Sequence, residues 1–80
     1  MTRDEIEQKF IGFFVEKLEL DPNILKPEAS LKNDIGLTSM DIIDIKVFVE
    51  KTFGWLMSRQ DVLSINTLSD LYSIIEKHIA

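Results

Sequence analysis

The sequence predicts an all-α fold, a small bundle of four helices, on three observations. The capping pattern Ser/Thr-x-x-Asp/Glu, whose two side chains satisfy backbone N–H groups left free at a helix start, occurs at four places: Thr2–Glu5, Thr38–Asp41, Ser58–Asp61 and Thr67–Asp70. Apolar residues after these points recur at three- and four-residue spacing, the period of one helix face. The 80 residues contain no cysteine, so a single small domain over 1–80 must be held by its core alone. With 45% hydrophobic and 29% charged residues the chain has the composition of an ordinary folded domain.

In chain order, Thr2 caps a first helix to about Leu18, with Ile6, Phe10, Phe13, Phe14 and Leu18 as its inward stripe and Ile11 and Val15 widening it. The opposite face is acidic and mixed rather than rich in Lys and Arg, which favours core packing over a membrane surface. Gly12 costs about 1 kcal/mol there relative to alanine and is expected to mark close approach by another helix. A long connection follows from Glu19 to Thr38, broken by Pro22 and Pro27, with Leu20, Ile24, Leu25, Leu31, Ile35 and Leu37 available to pin it to the bundle. The second helix, Ser39 to Phe53, carries Met40, Ile43 and Val47 with Ile42, Ile45, Val49 and Phe53 interleaved, apolar over more than one face. Gly54 is its expected C-terminal stop. Ser58 then caps a short third helix bearing Val62, Leu63 and Ile65. Thr67 caps the last, whose inward face is Leu68, Leu71, Tyr72, Ile75 and Ile79. Trp55 and Met57 are read as core or edge anchors, with lining a cargo pocket as the other role open to each.

The chemistry concentrates at Gly36-Leu37-Thr38-Ser39-Met40. With Thr38 as cap, Ser39 is the first residue of the second helix, where its hydroxyl faces solvent at the positive end of the helix dipole. Outward N–H groups there favour an attached phosphate.

These residues resemble the acyl and peptidyl carrier protein family, which usually reads Gly-x-Asp-Ser-Leu ahead of an acidic helix. Here Thr38 stands for the aspartate, keeping a capping oxygen and losing a charge, and Met40 stands for leucine at similar volume. Asp21-Pro22, Pro27-Glu28-Ala29-Ser30-Leu31, Asp34-Ile35-Gly36 and Phe53-Gly54 extend the resemblance over nearly the whole chain. It implies a four-helix bundle of acyl-carrier type, with the long loop between helices 1 and 2 and the short third helix beside the arm. It also implies that a phosphopantetheinyl transferase attaches 4′-phosphopantetheine from coenzyme A to Ser39, and that the arm's thiol holds acyl or aminoacyl groups as thioesters. Implied partners are that transferase and acyl- or aminoacyl-loading and condensing enzymes. Partner recognition carries over to Met40, Asp41, Asp44, Val47 and Glu50. Lys46, Lys51 and Thr52 dilute the acidic character usual in fatty-acid carriers, which favours a specialised polyketide, nonribosomal peptide or related route over general fatty-acid synthesis.

A net charge of −5 speaks against a nucleic-acid surface. No run is long enough to span a bilayer, the N-terminus lacks a secretory signal, and a cytoplasmic monomer meeting its partners in trans is expected. An enzyme is not expected: His78 is the one histidine available to activate Ser39, no cleft is evident, and no metal-ligand set or glycine-rich phosphate loop is present. Beside the carrier stands a second reading, an unmodified helical interaction module docking through the second helix.

Overall fold

Each of the four capping patterns opens a helix. The computed structural model describes residues 1–79 and contains α1 (Arg3–Glu16), α2 (Ser39–Phe53), α3 (Arg59–Leu63) and α4 (Leu68–Ile79), with a 3-10 turn at Pro22–Ile24. The boxes of Thr2, Thr38 and Ser58 are closed in both directions. At α4 the Thr67 N–H donates to Asp70 Oδ2 at 3.1 Å and the Asp70 N–H returns to Thr67 Oγ1 at 3.1 Å. These bonds favour the charged carboxylate, and backbone donation from Thr2, Ser58 and Asn66 is the largest effect holding Glu5, Asp61 and Asp70 respectively below the usual carboxylate range.

The stripes meet in one core. Ile6, Phe10 and Phe14 of α1 lie against Ile45 and Val49 of α2 and Leu68, Leu71, Tyr72 and Ile75 of α4, all buried. Phe13 and Leu18 are only partly buried, on the flank of the stripe. Arg3 ties α1 to α4 by donating to Ser73 Oγ at 2.9 Å and Ser69 Oγ at 3.0 Å, and lies over the Tyr72 ring. Among the described residues no charged side chain is buried, Tyr72 is the one core side chain with a polar group, and no helix is long and apolar enough to cross a membrane.

The connection from α1 to α2 is held by hydrogen bonds as well as by apolar anchors. Leu25, Ala29, Leu31 and Ile35 are buried, while Leu20, Ile24 and Leu37 are partly so. Pro22 starts the 3-10 turn, its missing N–H costing nothing at a first helical position, and Asp21 accepts from the Asn23 N–H at 2.9 Å. Further on, Ser30 pairs with Thr67 in an isolated antiparallel bridge, with Leu31 N–H to Asn66 O at 2.9 Å and Leu68 N–H to Ala29 O at 3.2 Å. This bridge fastens the connection to the start of α4.

Gly36 and Gly54, on either side of α2, both have positive φ. Gly54 stops the helix at φ 73°, its N–H donating to Glu50 O at 3.0 Å, as the sequence indicates. Gly12 departs from expectation. A Cβ built on it meets nothing within 4 Å, so no helix approaches closely; it lies on an open groove with Phe13 and Phe48. Gly12→Ala should therefore stabilise the fold by about 1 kcal/mol, read as a raised urea midpoint with unchanged slope.

Candidate functional site

The site is built at the start of α2. Thr38 is extended (φ −92°, ψ 174°), its Oγ1 accepts from the Asp41 N–H at 3.3 Å, and Asp41 Oδ2 accepts from the Thr38 N–H at 3.0 Å. Threonine thus performs the capping that the family's aspartate would. Ser39 follows as the first helical residue and is exposed. The N–H groups of Ser39 and Met40 have no acceptor among the described residues, as expected for the first turn of a helix.

The six serines of the chain differ in one respect that bears on chemistry. The hydroxyls of Ser30, Ser58, Ser64, Ser69 and Ser73 are engaged in hydrogen bonds, to Asn33, Asp61 and Arg3 among others. That of Ser39 has no partner among the described residues.

Beside Ser39 the fold leaves a cavity of about 450 Å³, which corrects the expectation that no cleft exists. Leu31, Lys32 and Asn33 of the long connection, Ile42, Ile45 and Lys46 of α2, and Val62 and Leu63 of α3 reach it from three sides. Met57 is 2% exposed within the core, as an anchor should be, and also forms part of the cavity wall. Trp55 does not line the cavity. It packs on the edge of the core, and the His78 ring stacks on it at 4.1 Å between centroids and 11° between planes. His78, in the last turn of α4 and stacked on Trp55, is absent from the lining of the cavity beside Ser39.

The residues carried over for partner recognition fall on α2 in different settings. Met40 and Val47 are 68% and 45% exposed and Glu50 is exposed, whereas Asp41 and Asp44 are half-buried, Asp41 being engaged in the cap. Ile43, which the resemblance did not carry over for recognition, is 54% exposed and continues Met40 and Val47 into one apolar stripe. The spacing 40, 43, 47 carried that signal. Leu63 of α3 is also exposed, at 70%.

Comparison with known proteins accords with this geometry. The family model described as "Highly reducing polyketide synthase sdgA, C-terminal ACP domain" matches residues 1–80. The chain belongs to the acyl carrier protein family. It is 35% identical over 78 residues to an acyl carrier protein of Thermotoga maritima, covering 98% of this chain and 96% of that protein. It is 32% identical over 75 residues to an acyl carrier protein of Porphyromonas gingivalis, covering 94% and 96%. Among solved structures, the crystal structure of an acyl carrier protein from Thermotoga maritima superposes with a TM-score of 0.81 at 28% identity, covering 94% of this chain and 87% of that one. The all-α bundle, the long first connection and the short third helix are those of this family. Its members are carriers that bear 4′-phosphopantetheine, and this chain is a carrier and not an enzyme.

Proposed function

We propose that residues 1–80 form a single carrier domain whose 4′-phosphopantetheine arm is attached at Ser39. The observation that carries the assignment is the exposed, unengaged Ser39 hydroxyl at the capped start of α2. The free N–H groups of the first turn favour the negative charge of a phosphodiester, and Thr38 with Asp41 keeps that turn formed. When bound, the arm supplies a thiol that holds acyl or aminoacyl groups as thioesters and raises their effective concentration at partner enzymes. Ile42, Ile45, Met57 and Leu71 give the cavity beside Ser39 apolar walls, and its volume is within the range of small-molecule sites. It suits a short tethered chain withdrawn from water.

The partners proposed are a phosphopantetheinyl transferase and acyl- or aminoacyl-loading and condensing enzymes, docking on Met40, Asp41, Asp44, Val47 and Glu50 of α2. A specialised acyl route is supported by Lys46 and Lys51 in α2 and by the description of the matching family model. Incubation with coenzyme A, magnesium and a broad-specificity phosphopantetheinyl transferase should add one arm by intact-protein mass spectrometry, with fragmentation locating it on residue 39. No added mass on folded protein, with a control carrier modified alongside, would favour the unmodified docking module.

Docking has its own test. Asp44→Lys should slow cargo transfer from partner enzymes by raising KM while stability changes by no more than about 0.5 kcal/mol, since the residue lies outside the core. Transfer kinetics equal to wild type would leave Asp44 as a solubilising charge.

A further inference from the structure

The charge of the Ser39 cavity is opposite to that of the chain. Formal net charge is −5, yet the charged residues lining the cavity are Lys32 and Lys46, with no Asp or Glu among them. Asn33 and Asn66 also line it, and their amides can donate hydrogen bonds. The two lysines come from separate elements. Lys46 is half-buried on α2, seven residues after Ser39, which places it about 10.5 Å along the axis and within about 20° of the same face. Lys32 comes from the long connection, next to Leu31, whose N–H donates to Asn66 O at 2.9 Å. Among the described residues the one ion pair joins Arg3 to Glu76, so neither lysine is in direct contact with a carboxylate.

An apolar cavity made only for hydrocarbon has no use for two unpaired cations on its wall. Stems of lysine can cover apolar surface while their ammonium groups reach water, but that accounts for neither the absence of acids nor the two amides beside them. Lys32 is exposed and Lys46 is the half-buried one of the two; beside an apolar wall an ammonium gains from a charge-assisted hydrogen bond to an anion.

The geometry points to an anion-holding site on the Lys32 and Lys46 side of this cavity, filled by a negatively charged group delivered on the Ser39 arm. It rests on Ser39 bearing the arm. Two groups carry the required charge: the arm's own phosphodiester, and a carboxylate at the far end of the cargo. In the second case Ile42, Ile45 and Met57 would cover the methylene stretch and the lysines would hold its end. The cargo class is then an acyl group ending in a carboxylate.

The test uses the full chain carrying the arm alone, a hexanoyl arm or an adipoyl arm, each loaded from the matching coenzyme A thioester. Mass spectrometry first verifies single loading; failure at that step counts against Ser39 as the attachment site and leaves the lysines aside. Lysine Cε and Hε NMR shifts and the thermal midpoint are then read at low and high salt. The adipoyl form should shift Lys32 and Lys46 and melt above the hexanoyl form, with the gain reduced by salt. Lys46→Met or Lys46→Gln should remove that gain and Lys46→Arg should keep it, while the unloaded variants melt with wild type. Full lysine shifts with the arm alone, and no addition from either cargo, would support the site with the phosphodiester as its anion. Lysine signals unmoved in all three forms, or an adipoyl gain that survives Lys46→Met, would overturn it.

Discussion

Ser39→Ala should abolish arm attachment completely while the helix around it stays intact. The two halves of this expectation have separate physical grounds. Attachment requires a hydroxyl at the start of α2, and no other side chain in that turn supplies an exposed, unengaged one, Thr38 Oγ1 being held by the Asp41 N–H at 3.3 Å. Stability should be unchanged within about 0.5 kcal/mol, because the Ser39 hydroxyl makes no hydrogen bond among the described residues and alanine is the better helix former. Ser58→Ala provides the contrast. Its hydroxyl accepts from the Asp61 N–H at 3.1 Å at the start of α3, so its loss should cost about 1 kcal/mol and leave attachment untouched. Intact mass after transferase treatment, beside circular-dichroism melting, reads both properties. An arm still present on the alanine variant would remove Ser39 from the proposal, and a lost helix would show that the serine has a structural duty.

What could be read from the sequence was what local physics decides. A capping box is a bargain struck within four residues, so Thr2, Thr38, Ser58 and Thr67 could each be placed with no knowledge of the fold. Gly54 was legible for the same reason, since ending a helix needs only its own backbone. Pro22 and Pro27 marked the long connection, and the resemblance through Gly36 to Met40 supplied the expected role of Ser39, which periodicity could not yield. The features that escaped need distant residues to meet. The bridge between Ser30 and Thr67 joins chain segments 37 positions apart (67 − 30), and it brings Asn66 beside Leu31 at the cavity wall. Without that closure neither the cavity nor its cationic lining exists as a pattern along the chain. Gly12 was misread because a glycine in a helix has two causes in sequence, a close neighbour or mere tolerance, and only the empty space around it separates them. On α2 the apolar excess was plain, but whether Ile43 turned in or out depended on α1 and α4 occupying the other face.

The largest loss of stability should come from Phe10→Ala. Phe10 is fully buried, and its ring lies 5.7 Å from Phe14, 5.1 Å from Phe48, 5.6 Å from Phe53 and 5.8 Å from Tyr72, centroid to centroid. It therefore joins three helices at one point. Truncation removes the transfer energy of a phenyl group and leaves a cavity that four rings cannot all close, a cost of about 3–5 kcal/mol. A domain of this size has a total stability of about 4–12 kcal/mol, so the variant should melt at least about 12 °C lower and fall close to the unfolding threshold. Phe13→Ala is the informative neighbour. Phe13 also stacks on Phe48, at 4.3 Å, but it is partly buried and borders the open groove, where water can fill the space left behind; its loss should cost about 1–2 kcal/mol. Urea titrations of both variants give the comparison directly. The difference matters for the carrier's work, because Phe48 and Phe53 fix α2 against α1 through Phe10, while Met40, Ile43 and Val47 on the other side of the same helix remain exposed. A helix that must present an apolar stripe to partners and a serine to a transferase needs its inward face held firmly by something else. Equal losses for the two phenylalanines would mean that the hold on α2 is spread along the groove and not centred on Phe10.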